Sequence, residues 1–190
     1  MMSAHRHVVV ALAALVPAGC TSTSGGAKTT PPDPIVVTDE RDAALSAAIG
    51  ERVISNDQSI YEPVAAPPDK VYQALIVAYS ELGVPATIIN PKEGLVAALN
   101  RRAFSKLGTE RLSRYVSCGD SMTGPRADQD RIVLSVVSWA KADGTGNTRI
   151  ESRIVGNATD SGGTSMRMPC TSTGELESRL HKAAKAALGM

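Results

Sequence analysis

The stretch "RIVLSVVSWAKAD" (131–143), then "GTGN" (144–147), then "TRIESRIVGNA" (148–158), decides the fold class. In the first segment Ile132, Leu134 and Val136 recur at every second position. In the second, Ile150 and Ile154 fall on one side and Arg149, Glu151 and Arg153 on the other. A two-residue period is the mark of a strand with one buried face. Four residues containing two glycines between such segments read as a hairpin loop, so the pair is antiparallel. A sheet built from hairpins, with helices elsewhere in the chain, belongs to the α+β class.

Upstream, "PPDKVYQALIVAYSELG" (67–83) predicts a helix. Asp69 is its expected N-cap, Val71, Leu75, Ala78, Tyr79 and Leu82 share one face, and Gly83 is the stop. "ATIIN" (86–90), the turn "PKEG" (91–94) and "LVAALNRRAF" (95–104) predict a second hairpin. "TERLSRYV" (109–116) suggests a short helix with Leu112, Tyr115 and Val116 inward, and "GDSMTGPRADQD" (119–130) a polar loop. Downstream, "TSMRM" (164–168) reads as a short strand. The last helix is expected to open with a capping box at Ser172 and Glu175. Its expected buried stripe is Leu176, Leu180, Ala183, Ala187 and Leu188, with Lys182 and Lys185 towards the negative end of the helix dipole. Glu51–Ala65 carries a first extended segment, and Ile35–Gly50 is open between a short helix and an approach to the domain. The expectation is one α+β domain over 51–190. Its antiparallel sheet has about five strands, packed by two main helices on one face.

The N-terminus has a different character. His5, Arg6 and His7 precede an apolar run, Val8–Val16, and the small pair Ala18-Gly19 precedes Cys20. That is the three-part layout of a secretory signal. The apolar run is shorter than the roughly 20 residues a membrane-spanning helix needs. With the cysteine at the cleavage point, the segment resembles a bacterial lipoprotein signal, although Pro17 stands where that family usually has Leu. The resemblance implies a signal peptide over 1–19 and lipidation of Cys20. With Thr21 next, it implies sorting to the outer membrane with the domain facing the periplasm. The alternative is ordinary secretory cleavage near Ala18, with a secreted product. Residues 20–50, opening with "TSTSGGAKTTPPDP", read as the lipidated Cys and a tether between bilayer and domain. If Cys20 takes lipid, the other two of the three cysteines, Cys118 and Cys170, form an even pair in an oxidising compartment, and a disulfide between them is expected.

Composition excludes more than it assigns. The formal net charge is +1, so no strong overall field draws nucleic acid. Trp139, Phe104 and four tyrosines are too few for a base-stacking surface. Outside the signal only His181 remains, which argues against a histidine-built metal centre. No residue pattern calls for a cofactor. "SCGDSMTG" (117–124) resembles the nucleophile block of the GDSL-type esterases, through Gly119, Asp120, Ser121 and Thr123. The resemblance implies Ser121 as nucleophile. The family's closing Asp-x-x-His is absent, because Ser178 precedes His181, and His181 is expected on the polar side of its helix. "RIESR" and "RRAF" are expected to form a solvated strand face with cross-strand ion pairs, in preference to an anion site. Finally, "APPDKVYQALIVAYSELGVPATIINPKEGLV" resembles the opening of helix-grip domains in envelope lipoproteins, among them the accessory lipoprotein of the outer-membrane β-barrel assembly machinery. The expected function is a membrane-tethered envelope lipoprotein. Its non-catalytic domain would bind a protein partner or a small apolar ligand between the sheet and the final helix. A small envelope serine esterase using Ser121 is the alternative.

Overall fold

The computed structural model describes residues 33–36, 59–159 and 167–190. The signal segment 1–19, Cys20, the possible helix before Gly50 and most of the tether lie outside the described residues. Within the stretch read as tether, Ile35–Val36 forms β1 and runs parallel to β3 (Ile88–Asn90), Ile35 opposite Ile88.

The centre of the domain is the hairpin foreseen from the alternation. β10 (Arg131–Ala142) and β11 (Thr148–Thr159) pair over their full lengths, from Arg131 opposite Thr159 to Ala142 opposite Thr148. β4 (Leu95–Phe104) flanks β10 and hairpins with β3. Beyond β11 lie β2 (Ile60–Val64) on its first half and β12 (Arg167–Ser172) on its second. Shorter strands complete the sheet: β5 (Lys106–Leu107), β6 (Glu110–Arg111) and β7 (Val116–Ser117). Among the described residues ten strands join in this sheet, not about five, and β1–β3 is parallel. The undercount comes from two-residue strands, which carry no period to read. A separate small hairpin, β8 (Asp120–Ser121) with β9 (Gly124–Pro125), lies in the stretch expected to be loop.

Two helices, α1 (Pro68–Glu81) and α2 (Glu175–Ala187), pack on each other and on the strands. Val71, Leu75, Ala78 and Tyr79 of α1 join Leu176, Leu180 and Ala184 of α2 in one buried cluster. The same cluster holds Val96, Ala98, Leu134, Val136, Ile150 and Ile154 of the sheet. We call this side of the sheet the helix face and the other the far face. Gly83, at φ +71°, ends the first helical turn-out as expected. Gly94 closes the β3–β4 turn at φ +62°, and a Cβ there would stand 2.5 Å from the Ala140 carbonyl oxygen, so only glycine fits.

Several local expectations change. Pro67, not Asp69, is the N-cap of α1, with Pro68 in its first turn. No helix spans 109–116: Glu110–Arg111 pairs as a strand with β5, a single 3₁₀ turn covers Leu112–Arg114, and Val116 enters β7. The apolar residues do turn inward there, with Leu112, Tyr115 and Val116 buried. The tight β5–β6 hairpin claims the first turn a helix would need. The capping box is absent, since Gly174 (φ 82°) is the N-cap of α2 and Ser172 Oγ instead donates to Glu177 Oε1 at 2.5 Å. The fully buried residues of α2 are Leu176, Leu180 and Ala184 with the polar Glu177 and His181; Ala183 and Leu188 pack against the core partly buried, and Ala187 is exposed. The strand expected at 164–168 is described from Arg167, and it continues to Ser172.

Cys118 and Cys170 stand at disulfide distance, S–S 2.01 Å, joining the residue after β7 to β12. The two are 52 residues apart. Closing a loop of that length removes about 4 kcal/mol of chain entropy from the unfolded state. The Cys118→Ala/Cys170→Ala double variant is expected to lose roughly 2–5 kcal/mol in urea unfolding. An unchanged midpoint would contradict a stabilising bridge.

Candidate functional site

The residues singled out for chemistry do not assemble. Ser121 lies in the β8–β9 hairpin, where its hydroxyl bonds Gly124 O (3.0 Å) and Gln129 Oε1 (2.8 Å), with Thr123 Oγ1 at 3.2 Å. These are the contacts of a surface turn, and none is a base. His181, expected on the polar side of its helix, is only 3% exposed. Its Nε2 lies 2.9 Å from Ser152 Oγ, so the ring serves another serine. Ser152 Oγ is 2.7 Å from Ser138 Oγ, which is 3.0 Å from the Tyr79 hydroxyl, and that hydroxyl also donates to the Val96 carbonyl at 3.1 Å. Ser152, Ser138 and Tyr79 are all fully buried. A serine within reach of a histidine has the distance a nucleophile and base require. Here no substrate atom reaches it, and the chain of hydroxyls is a brace between both helices and the central hairpin.

Burial holds the His181 imidazole down to about 4, Glu62 opposing that effect and Lys185 adding to it. Lys185 and Glu62 are ion-paired beside the ring, and the buried Glu177 precedes it by one turn on α2. An unfolded chain protonates histidine near pH 6.5. Between about 6.5 and 4 the unfolded state therefore binds a proton that the folded state refuses. Stability is full above this window and is lost as the pH falls through it.

The far face carries the other polar features. At one end Leu95, Ala97, Val137 and Trp139 form a second buried cluster. Beside it stands Glu151, 4% exposed, which bonds Lys141 Nζ at 2.8 Å and Arg153 at 2.7 Å. Burial pushes the Glu151 carboxyl up, but the Lys141 and Arg153 hydrogen bonds outweigh it and leave the group below the usual carboxylate range. Lys141 and Arg153 also lie over the Trp139 ring, 5.1 and 5.9 Å from its centre. The expected ion pairs of "RIESR" thus exist, though on a buried rather than a solvated carboxylate.

"RRAF" behaves differently. Between Leu134 and Val136 of β10 the register with β4 shifts, because Leu99 and Asn100 together oppose the single residue Ser135. Asn100 takes φ 53° in this bulge, and its N–H bonds Ser135 Oγ at 3.2 Å. Before the bulge the even residues Val96 and Ala98 face the helices. After it Arg101 and Ala103 do, and Arg102 and Phe104 swing to the far face. There Phe104, Arg131, Thr159 and Arg167 lie side by side across β4, β10, β11 and β12, with Arg102 and Asn157 in the next row. They line a concavity of about 790 Å³. No described acidic side chain pairs with Arg102, Arg131 or Arg167, and Phe104 is 62% exposed. On sequence alone "RRAF" is a choice between an anion site and ion pairs, with ion pairs preferred; Arg102 and Phe104 are not joined there to Arg131 and Arg167, because these meet only through non-local pairing.

No protein-family model and no curated protein matches this sequence.

The pH window gives a direct test of the buried brace. The free energy of urea unfolding is expected to fall on lowering the pH from 7 to 4, by on the order of 3 kcal/mol. His181→Gln, which can still bond Ser152 but does not titrate, should flatten most of that slope. Equal slopes in both proteins would show that other groups carry it.

Proposed function

We propose that the chain is a membrane-tethered envelope lipoprotein, anchored through Cys20 in the outer membrane and facing the periplasm, whose domain binds a protein partner and catalyses nothing. The observation that carries the binding half is the far-face concavity, where three arginines without an acidic partner among the described residues share one surface with an exposed aromatic ring. A cluster of like charges with no acidic partner among the described residues favours an external one. The anchoring half rests on the sequence around Cys20. The helix laid across hairpins is in keeping with the helix-grip likeness, which stays a likeness of layout.

Two competing ideas have less support. A small apolar ligand between the sheet and α2 has no room, because Leu176, Leu180, Ala184 and His181 fill that interface. Esterase chemistry needs a base for Ser121, and its hydrogen-bond partners supply none.

The test is mass analysis of the full chain from the membrane fraction of a Gram-negative host, after in-cell formaldehyde crosslinking. The expected result is a lipid-shifted mass that disappears in Cys20→Ser, together with one specific crosslinked protein. An unshifted, soluble product without a partner, or ester hydrolysis lost in a folded Ser121→Ala variant, would overturn the proposal.

A further inference from the structure

We infer that the concavity around Arg102, Arg131 and Arg167 recognises an acidic peptide segment of the partner, with Phe104 receiving an apolar side chain beside the carboxylates. The inference rests on the binding reading above and names the chemistry of its ligand.

The contrast within one sheet face is the starting point. Its cations at one end, Lys141 and Arg153, share the Glu151 carboxylate. Its cations at the other end have no acidic partner among the described residues, although the protein carries almost as many acids as bases, 19 against 20. A guanidinium offers a planar fork of donors that matches a carboxylate, which makes it the cation suited to recognition of such groups. The spacing then limits the ligand. Arg131 and Arg167 are separated by Thr159 on the strand between them, so their backbones stand two strand spacings apart, about 10 Å. Arg102 is diagonal to Arg131 across the β4–β10 pair, at roughly 7–8 Å. Anchors so spread suit several carboxylates along a chain better than one small anion. Between them stand neutral groups, Thr159 and Asn157, able to bond a peptide backbone. Phe104 at one margin gives the apolar contact that an isolated anion or a sugar phosphate would not use. A single exposed ring is too little for a nucleic-acid stacking surface. The bulge at Asn100 completes the case: it costs a left-handed residue on β4, and its effect is to bring Arg102 and Phe104 onto this face.

The experiment is fluorescence anisotropy of a labelled peptide of alternating Glu and Leu, titrated with the detergent-solubilised full chain at low and raised salt. A Lys-Leu peptide of equal length, inorganic phosphate, and phosphatidylcholine vesicles with and without phosphatidylglycerol are the comparisons. The acidic peptide is expected to bind, weakening as salt rises. Its affinity should fall at least about tenfold in the triple variant Arg102→Gln/Arg131→Gln/Arg167→Gln. It should fall a few-fold in Phe104→Ala and stay unchanged in Arg149→Gln, a cation elsewhere on the face. The triple variant removes only like charges, so its melting temperature should equal or exceed that of the native protein, which separates lost binding from lost folding. Equal affinity in the triple variant, no preference over the Lys-Leu peptide, or arginine-dependent binding of phosphate or anionic vesicles instead would overturn the inference. If the partner still crosslinks to the triple variant in cells, the assignment of this concavity falls and the binding function stands. If the native protein binds the peptide through these arginines but captures nothing in cells, the anion site stands and the partner reading falls.

Discussion

Ser138 and Ser152 face each other across the longest hairpin, and everything on the helix face is arranged around their hydroxyls, 2.7 Å apart. Tyr79 reaches this pair from α1 and His181 from α2. Polar groups in a core must be bonded, since a buried orphan costs about 1–3 kcal/mol. The chain of four side chains meets that demand only when both helices sit at one height on the sheet. Hydrophobic burial of Leu75, Leu176 and Leu180 supplies most of the driving force, but it is tolerant of sliding. The hydroxyl chain is not. The domain gains a single docking position for its helices, and in return its buried imidazole must stay neutral.

With the helix face committed to stability, binding chemistry is left to the far face. There the same sheet face carries two arrangements of strand-borne cations: Lys141 and Arg153 share the Glu151 carboxylate, and Arg102, Arg131 and Arg167 have no acidic partner among the described residues. The disulfide belongs to this account as well as to stability. Cys170 opposes Gly156 on β11, and a Cβ at Gly156 would come within 3.2 Å of the cysteine's own Cβ. Glycine at 156 thus lets β12 lie close against β11, the bridge ties β12 to the chain after β7, and the β11–β12 register sets Arg167 beside Thr159, which is itself opposite Arg131.

Much of this domain was written in local sequence. The two hairpins, the extents of α1 and α2 to within a few residues and the cysteine pair follow from alternation, helical spacing and counting. The arginine site was hidden by a single residue. Strict alternation from Val96 and Ala98 sends Arg102 and Phe104 towards the helices, and only the bulge at Asn100 reverses them. A bulge needs a partner strand to define it, and β4 meets β10 across nearly thirty intervening positions, with no local signal for the offset. His181 was misplaced for a related reason. A histidine beside Glu177 on a helix reads as solvated until the sheet beneath is seen to offer Ser152 and the preceding strand Ser172. The short strands and the 3₁₀ turn after Gly108 are too brief to carry a period at all.

The central claim is that the far end of the sheet, not the helix side, meets the partner. A photo-crosslinking amino acid placed at Phe104 or at the exposed Lys182 of α2 in the living cell tests it most directly. Adducts of one discrete mass are expected from position 104, with none from position 182. Adducts from 182 with a silent 104 would contradict it and move the binding surface to the helices.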